Sequence, residues 1–283
     1  MGPDKLQAQR FEFKYIISEA TALAIREFVQ GYLVLDEFGS TQPNLSYPVH
    51  SLYLDSPDLK LYQSTINGDK NRYKLRLRFY EDRPNAPVYF EIKRRVDNTI
   101  SKERGGVDRD AVDSILAGQL PSDDHVVSRD PRQHQALRTF CRRVSALQAI
   151  PIAHIAYLRE AWMSAHDNSV RITIDRRVRC EPEPTAQLTT RMQDAVDVFG
   201  DYLVLELKFT NRYPDWFREL VRVFHLVQCG AAKYVDGATL VGTRRLTHPG
   251  FFNDPAAHRQ VYAPLNQRSH LTRREQILLA AAS

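Results

Sequence analysis

The segment YKLRLRFY, residues 73–80, alternates strictly between charged and apolar or aromatic side chains. A period of two is the signature of a β-strand whose two faces have different surroundings. One face carries Lys74, Arg76 and Arg78, and the other face is apolar. Because neighbouring like charges on one strand face repel each other, this segment restricts the fold more than any other part of the chain.

Four further segments repeat the alternation. They are Arg10–Tyr15 (RFEFKY), Val88–Arg95, Val170–Asp175 and Leu203–Phe209. Their polar faces hold Glu12 and Lys14, then Glu91 and Lys93, then Arg171, Thr173 and Asp175, then Glu206 and Lys208. Together with Val49–Asp55, Ile100–Val107 and Ile152–Trp162, these segments predict about eight strands.

Helices are predicted between the strands from their start signals. Ser18 is placed to cap a helix with an apolar stripe, and Asp130 with Pro131 begins a helix that runs through Leu147. Pro214 begins another helix. The segment EDRPNAP, residues 81–87, predicts a hairpin loop, so the strands on either side of it are antiparallel neighbours.

The charged strand faces either point to solvent, as in half-buried sheets generally, or line an interior. They contain few Ser, Thr, Asn or Gln residues, but repeated Lys and Arg joined by Glu. At about 4 Å a like-charged pair costs on the order of 4 kcal/mol at an effective dielectric of 20, which carboxylates and a bound polyanion would offset. We therefore predict an α+β protein with an antiparallel eight-stranded β-barrel tunnel, a charged interior and surrounding helices.

Composition sets the class of protein. The 283 residues are 43% hydrophobic and carry a net charge of +5, as expected for one large globular domain with anionic partners. The three cysteines, Cys141, Cys180 and Cys229, suggest neither disulfides nor a zinc cluster. No signal peptide or membrane-spanning stretch is visible, so a cytoplasmic location and no membrane span are expected.

The predicted lining suits phosphate chemistry. Arg76 and Arg78 can bind phosphate oxygens bidentately, whereas Lys14, Lys74, Lys93, Lys208 and Lys233 act as point charges. Glu12, Glu91 and Glu206 are hard oxygen ligands suited to Mn²⁺ or Mg²⁺. Phosphoryl transfer needs mainly positioning and charge neutralisation from a protein. The P-loop, dinucleotide-binding, zinc-protease and serine-hydrolase motifs are absent from the sequence.

A family resemblance rests on motifs in a fixed order: RFEFKY, SLYLDS, LYQSTINGDKNRYKLRLRFY, VYFEIKRR, SKERGGV, YLREAW, VRITID, YLVLELKF with a downstream PDWF, and AKYVDG. From about Arg10 to Val241 the chain resembles the VTC domain of polyphosphate polymerases, in the triphosphate tunnel metalloenzyme (CYTH-like) superfamily. The resemblance implies transfer of the ATP γ-phosphate onto a growing polyphosphate chain in a barrel tunnel, with Mn²⁺ or Mg²⁺.

The resemblance and the charged faces together give the expected site. The expected catalytic residues are Lys14, Arg76, Arg78, Lys93, Arg159 and Lys233. The expected phosphate-binding residues are Arg10, Lys74, Lys102, Arg104, Arg171 and Lys208. The expected metal ligands are Glu206, Glu12 and Glu91, with Glu206 the leading one. Ala232 stands where the family pattern has a serine, which would remove one hydroxyl contact to phosphate.

Alternatives remain open at this point. The same tunnel could hydrolyse tripolyphosphate or a nucleoside triphosphate, or bind polyphosphate without catalysis. Nucleic-acid binding ranks last because carboxylates interrupt the basic faces. Residues 1–246 are predicted to form the tunnel domain, and residues 247–283 a Pro-rich segment followed by an amphipathic helix. Translocation of a polymer would need a separate membrane partner, and the oligomeric state is not indicated.

The charge pattern also gives an expectation for stability. Replacement of Arg76 or Glu206 by Ala is expected to abolish turnover and to leave the melting temperature near or above that of the wild type. The reason is that the interior charges repel one another and the apolar core is untouched.

Overall fold

A computed structural model describes residues 10–97, 99–167 and 169–247. Ten strands are present: β1 (Arg10–Ile17), β2 (Val34–Leu35), β3 (Tyr47–Asp55), β4 (Asn71–Phe79), β5 (Val88–Val96), β6 (Thr99–Val107), β7 (Ile150–Met163), β8 (Val170–Pro182), β9 (Val196–Asp197) and β10 (Leu203–Thr210). The eight long strands are those expected from sequence, most of them a few residues longer. The short strands β2 and β9 were not expected.

Eight α-helices surround the strands in the described residues. They are α1 (Glu19–Val29), α2 (Glu37–Ser40), α3 (Lys60–Ile66), α4 (Val112–Leu116), α5 (Pro131–Leu147), α6 (Asp215–Val223), α7 (Lys233–Val241) and α8 (Thr243–Thr247). The predicted caps are confirmed: Ser18 Oγ accepts from Thr21 N at 3.1 Å, and Asp130 accepts from Arg132 N at 2.9 Å. The amphipathic helix expected in residues 247–283 lies outside the described residues.

All strand pairings are antiparallel, in the order β2-β7-β3-β4-β5-β6-β1-β10-β8-β9, with a further ladder between β7 and β8. The sheet therefore curls back on itself. However, among the described residues β6 and β1 share only the pair Arg10↔Ile100. Because β6 begins at Thr99, β1 runs past its end, and no continuous ladder forms between the parts of the two strands that the structure describes. The expected closed eight-stranded barrel is therefore corrected to a large antiparallel sheet with an open seam between β6 and β1.

The apolar strand faces are covered by helices, as the alternation required. α4 and α5 pack on the outer faces of β4, β5 and β6, while α1 and α6 cover β1, β8 and β10. α7 packs against β3, β7 and β8 through Tyr234, Val235 and Ala238. The charged faces of the strands converge on the concave side of the sheet. In the described part of the chain, no helix is long and apolar enough to cross a membrane.

Candidate functional site

The charged faces of β1, β4, β5, β7 and β10 converge, with the segment that leads into α7, on one cavity of about 710 Å³. Eleven Lys and Arg residues line it: Lys14, Arg72, Lys74, Arg76, Arg78, Lys93, Arg94, Arg95, Arg159, Lys208 and Lys233. Only three carboxylates do so, Glu12, Glu206 and Asp236. Such a cavity attracts anions, because few counter-charges neutralise the cations within it.

Glu206 is the centre of one ion-pair cluster. Its Oε2 lies 2.5 Å from Lys208 Nζ and its Oε1 lies 2.9 Å from Lys233 Nζ. Lys14 Nζ is 3.4 Å and Arg159 Nη2 is 3.6 Å from the same carboxylate. Burial alone would raise the pKa of Glu206, but the charges of Lys208 and Lys233 outweigh it and hold the pKa well below its usual value.

Asp175 joins this cluster from β8. Arg159 donates to both of its oxygens at 2.7 Å, and Lys233 Nζ lies 2.7 Å from Oδ2. Asp175 is fully buried, and burial opposes ionisation, yet Arg159 and Lys233 lower its pKa. The sequence placed Asp175 on a polar strand face but did not mark it as a site residue. Its position two residues after Thr173, on the same strand face, is the sequence feature that could have marked it as a site residue.

Glu91 is the centre of a second cluster on β4, β5 and β6. Arg76 donates to its Oε2 from Nε at 2.8 Å and from Nη2 at 2.6 Å. Lys102 Nζ and Arg104 Nε lie 2.8 and 3.5 Å from Oε1, and Arg78 Nε is 4.0 Å from Oε2. The four cations outweigh the effect of complete burial, so the pKa of Glu91 is held well below its ordinary value.

Glu12 links the Glu206 cluster to Lys93 on β5. Both of its oxygens accept from Lys93 Nζ at 3.0 Å, and Lys14 Nζ lies 3.4 Å away. Lys14 also donates to Ala231 O at 2.7 Å, which ties β1 to the segment before α7. Of the expected metal ligands, Glu12 and Glu206 therefore share the cation Lys14, whereas Glu91 lies in the other cluster.

Lys74 differs from the other lysines that line the cavity. In the described residues, Lys14, Lys93, Lys208 and Lys233 each form ion pairs, but Lys74 forms neither an ion pair nor a hydrogen bond. Burial and the nearby charges of Lys14 and Lys93 lower its pKa to about 7. It is the lysine of this set that lacks an anionic partner.

Two tyrosines hold the arginine side chains, and sequence reasoning missed both. Arg76 Nη1 donates to Tyr53 Oη at 3.1 Å, and Arg78 Nη2 donates to Tyr157 Oη at 3.0 Å. Tyr157 lies two residues before Arg159 on β7, so the period of two would have placed it on the charged face.

Not every expected residue reaches the cavity wall. Arg171 is bound to Asp36 at 2.9 Å and does not line the cavity. Lys102 and Arg104 contact Glu91 without lining the cavity themselves. Of Arg10 only the backbone is described, and its side chain lies outside the described residues.

The carboxylates have the chemistry of Mn²⁺ or Mg²⁺ ligands, since both ions prefer oxygen. However, among residues 10–97, 99–167 and 169–247 no three His, Cys, Asp or Glu residues are grouped closely enough to hold a metal. The oxygens of Glu206 face Lys and Arg instead. The residues present fit an ion held by one or two carboxylates whose remaining ligands come from phosphate oxygens and water.

The family model named VTC domain matches residues 9–241, most of the chain. The chain belongs to the VTC domain family. This VTC domain is 24% identical over 224 residues to the Vacuolar transporter chaperone complex subunit 2 of Schizosaccharomyces pombe. That alignment covers 67% of this chain but 30% of the relative, so the chain spans less than a third of the relative's length.

A solved structure is also similar to the VTC domain. It is a Bacillus halodurans protein described as a candidate adenylate cyclase, with 14% sequence identity and a TM-score of 0.45. The match covers 80% of this chain and 94% of the other. At that TM-score the likeness carries no argument about fold or function.

Proposed function

We propose that this VTC domain is a polyphosphate polymerase, which transfers the γ-phosphate of ATP onto a growing polyphosphate chain in the cavity. The observation that carries the proposal is the cavity itself, in which eleven cations on five strands and α7 face a common space with three carboxylates. Two linear polyanions must meet there, and cations on several walls can hold both.

The chain's own residues would bind and orient the phosphates. Arg76 and Arg78 are held by Tyr53 and Tyr157, so their guanidinium groups are oriented before a ligand arrives. Lys93, Arg159, Lys14 and Lys233 would neutralise charge on the transferred group from β5, β7, β1 and α7. Lys74 and Lys208 would bind neighbouring phosphates, and Lys102, Arg104, Arg171 and Arg10 would act outside the cavity wall.

A divalent ion, Mn²⁺ or Mg²⁺, would neutralise phosphate oxygens and draw the two substrates together. Glu206 would be its leading ligand and Glu12 the second, since both lie within 3.4 Å of Lys14 Nζ. Glu91 was expected as a third ligand, but it is fully buried and, unlike Glu12 and Glu206, does not line the cavity. We therefore assign Glu91 to holding Arg76 and Arg78 in place instead.

The cellular setting is inferred with the function. We propose that residues 1–246 act in the cytoplasm on ATP and polyphosphate, and that residues 247–283 are a separate tail. The similar protein of Schizosaccharomyces pombe is named as a subunit of a vacuolar transporter chaperone complex. A membrane partner of this chain would accordingly receive the polymer. Nucleic acid is not a proposed ligand.

One observation favours a second candidate, a polyphosphate-binding module without catalysis. Both oxygens of Glu206 are engaged by lysines at 2.5 and 2.9 Å, and the described residues contain no metal-binding group of three. A site of this kind could hold the polymer without activating it. Hydrolysis of tripolyphosphate or a nucleoside triphosphate is a third outcome, since water could replace the acceptor phosphate.

One assay separates these functions. The protein is incubated with labelled ATP and Mn²⁺ or Mg²⁺, and the products are resolved on a gel. A ladder of polymer is expected, and it should vanish in Arg76→Ala and Lys233→Ala but persist in the control Arg222→Ala, whose side chain is exposed on α6. Free phosphate alone would indicate a hydrolase. Unchanged ATP with tight tripolyphosphate binding would indicate a binding module.

A further inference from the structure

The helix α5, 17 residues with the sequence PRQHQALRTFCRRVSAL, packs on the outer side of β5 and β6. It contains four arginines and no carboxylate. Leu137, Phe140 and Val144 pack inward against the sheet. Arg138 and Arg142 are exposed and lie four residues apart, so they project from the same side of the helix. The solvent face of α5 is therefore positively charged.

This positive face continues to the rim of the cavity. Arg143 of α5 lies with its guanidinium carbon 4.4 Å from the centroid of the Tyr73 ring. Tyr73 is opposite Arg94 in the ladder between β4 and β5, and both line the cavity. The next ladder pair, Arg72 and Arg95, lines it as well. An unbroken series of contacts thus connects the helix to the cavity.

These arginines are not neutralised. Arg95 Nε donates to the backbone oxygen of Asp97 at 2.8 Å, and Arg72 donates to the backbone oxygen of Asp69. Such bonds orient a guanidinium without cancelling its charge. Six arginines are together called the α5 surface: Arg72, Arg94, Arg95, Arg138, Arg142 and Arg143. In the described ranges none of them forms an ion pair with a carboxylate, although Glu103 lies on the neighbouring strand β6.

We propose that the α5 surface binds the part of a condensed phosphate chain that extends out of the cavity. This inference rests on the proposed function, because it assumes that the cavity takes one end of such a chain. A linear polyanion is charged at every unit, so it can contact the cavity and the helix at once. A flat lipid headgroup layer would contact only the helix. Continuity with the cavity therefore favours the phosphate chain.

The test compares ligands of different length in binding measurements without ATP. Tripolyphosphate should reach only the cavity, whereas long-chain polyphosphate should reach both. The double variant Arg138→Glu/Arg142→Glu should bind long-chain polyphosphate about tenfold more weakly at low salt, and its affinity should depend less on salt. Its affinity for tripolyphosphate should not change. The matched control is Arg218→Glu/Arg222→Glu, two exposed arginines with the same spacing on α6, which should change neither affinity.

Several results would overturn the proposal. Unchanged affinity for long-chain polyphosphate in the α5 variant would do so, as would an equal loss for both ligands. Loss of binding to phosphatidylserine vesicles or single-stranded DNA, with long-chain polyphosphate unaffected, would assign the surface to another partner. A protein that makes no polymer would contradict the proposed function. Because binding is measured without turnover, the comparison of the two ligands would still test whether the α5 surface binds polyphosphate.

Discussion

Glu206 carries one negative charge among four cations, from Lys14, Arg159, Lys208 and Lys233. Its removal leaves those cations without their shared counter-charge in a buried place. Breaking a buried ion pair from one side costs about 3–5 kcal/mol. The expectation from sequence, that loss of Glu206 would relieve repulsion, is thereby reversed, because the repulsion is among the lysines and arginines that Glu206 neutralises.

We therefore expect Glu206→Gln to lower the melting temperature by roughly 5–10 °C and to abolish turnover. Tripolyphosphate should restore part of the lost stability, because its charges replace the missing carboxylate. The measurement is thermal unfolding with and without tripolyphosphate. As a control, Glu81→Gln removes an exposed carboxylate and should leave the melting temperature unchanged. A Glu206→Gln variant as stable as the wild type would contradict the neutralising role.

The pKa of Lys74 gives the site a pH dependence. Burial lowers it from 10.5 to about 7, so part of the Lys74 population is neutral near pH 7. A bound polyphosphate favours the charged amine. Binding is therefore accompanied by uptake of a proton at Lys74. Affinity for tripolyphosphate should consequently fall as the pH rises above 7, by at most about tenfold per pH unit from this group. Titration calorimetry in buffers of different ionisation enthalpy measures the proton uptake.

The variant Lys74→Arg isolates this effect, because a guanidinium stays charged at pH 9. It should retain its affinity where the wild type loses it. For the ligand-free protein the pH dependence of stability has the opposite sign to that of affinity. The unfolded chain holds the Lys74 proton up to about pH 10.5, so this group makes unfolding less favourable as the pH rises from 7. Equal pH profiles for wild type and variant would assign the dependence to other groups.

At the scale of elements, Asp55 fixes α3 and α7 over the site. One oxygen accepts from Ser56 N and Leu61 N at 2.7 and 2.8 Å. The other accepts from Tyr62 N and Tyr234 Oη, both at 2.8 Å. Because Tyr234 follows Lys233 in the chain, this carboxylate also sets where α7 places a lysine of the cavity.

Asp55→Asn replaces an accepting oxygen by a donating NH₂ group, so two buried donors lose their acceptor. We expect the free energy of unfolding to fall by about 2 kcal/mol or more, and polymer formation to decrease although Asp55 lines no part of the cavity. Denaturant unfolding and the gel assay measure the two effects. Tyr234→Phe, which removes only the hydroxyl, should cost less. A stable but inactive Asp55→Asn protein would instead indicate a direct role.

The contact between α5 and β6 depends on Gly105. A Cβ atom added there would lie 2.7 Å from Gln133 O and would also clash with Leu137. Gly105→Ala should push α5 from the sheet and lower the free energy of unfolding by about 1–3 kcal/mol, measured by denaturant unfolding. Gly230→Ala is the control, because no atom lies within 4 Å of the added Cβ. Equal stability of the two variants would show that α5 adjusts freely.

Elements were largely predictable, because their signals are local. The helix Pro131–Leu147 was expected with its observed bounds, since Asp130 and Pro131 mark its start. The helix expected after Pro214 is present as well, from Asp215 to Val223. The short strands β2 and β9 exist only through pairing with β7 and β8, and two residues are too few to show an alternation.

For the whole molecule, ligand binding and stability are coupled, because the cavity concentrates like charges. A ligand that binds only the folded state stabilises it by about 2.7 kcal/mol at 100 times its dissociation constant. Tripolyphosphate at that excess should raise the melting temperature by roughly 5–10 °C, and orthophosphate at equal concentration should raise it less. Scanning fluorimetry measures the shift. The shift should disappear in Arg159→Ala and persist in Arg222→Ala, and its presence in both would place binding elsewhere.

The order of amino acids is enough to show which side chains share a strand face, where the main helices begin and that Lys, Arg and Glu alternate with apolar residues. Those features follow from the period of the backbone, which each segment carries alone. The seam between β6 and β1, the joining of Asp175 to Glu206 and Lys233, and the lack of an ion-pair partner for Lys74 among the described residues all arise from the three-dimensional fold. Ion pairing depends on register between strands distant in sequence and on where α7 lies, and no single segment contains that information.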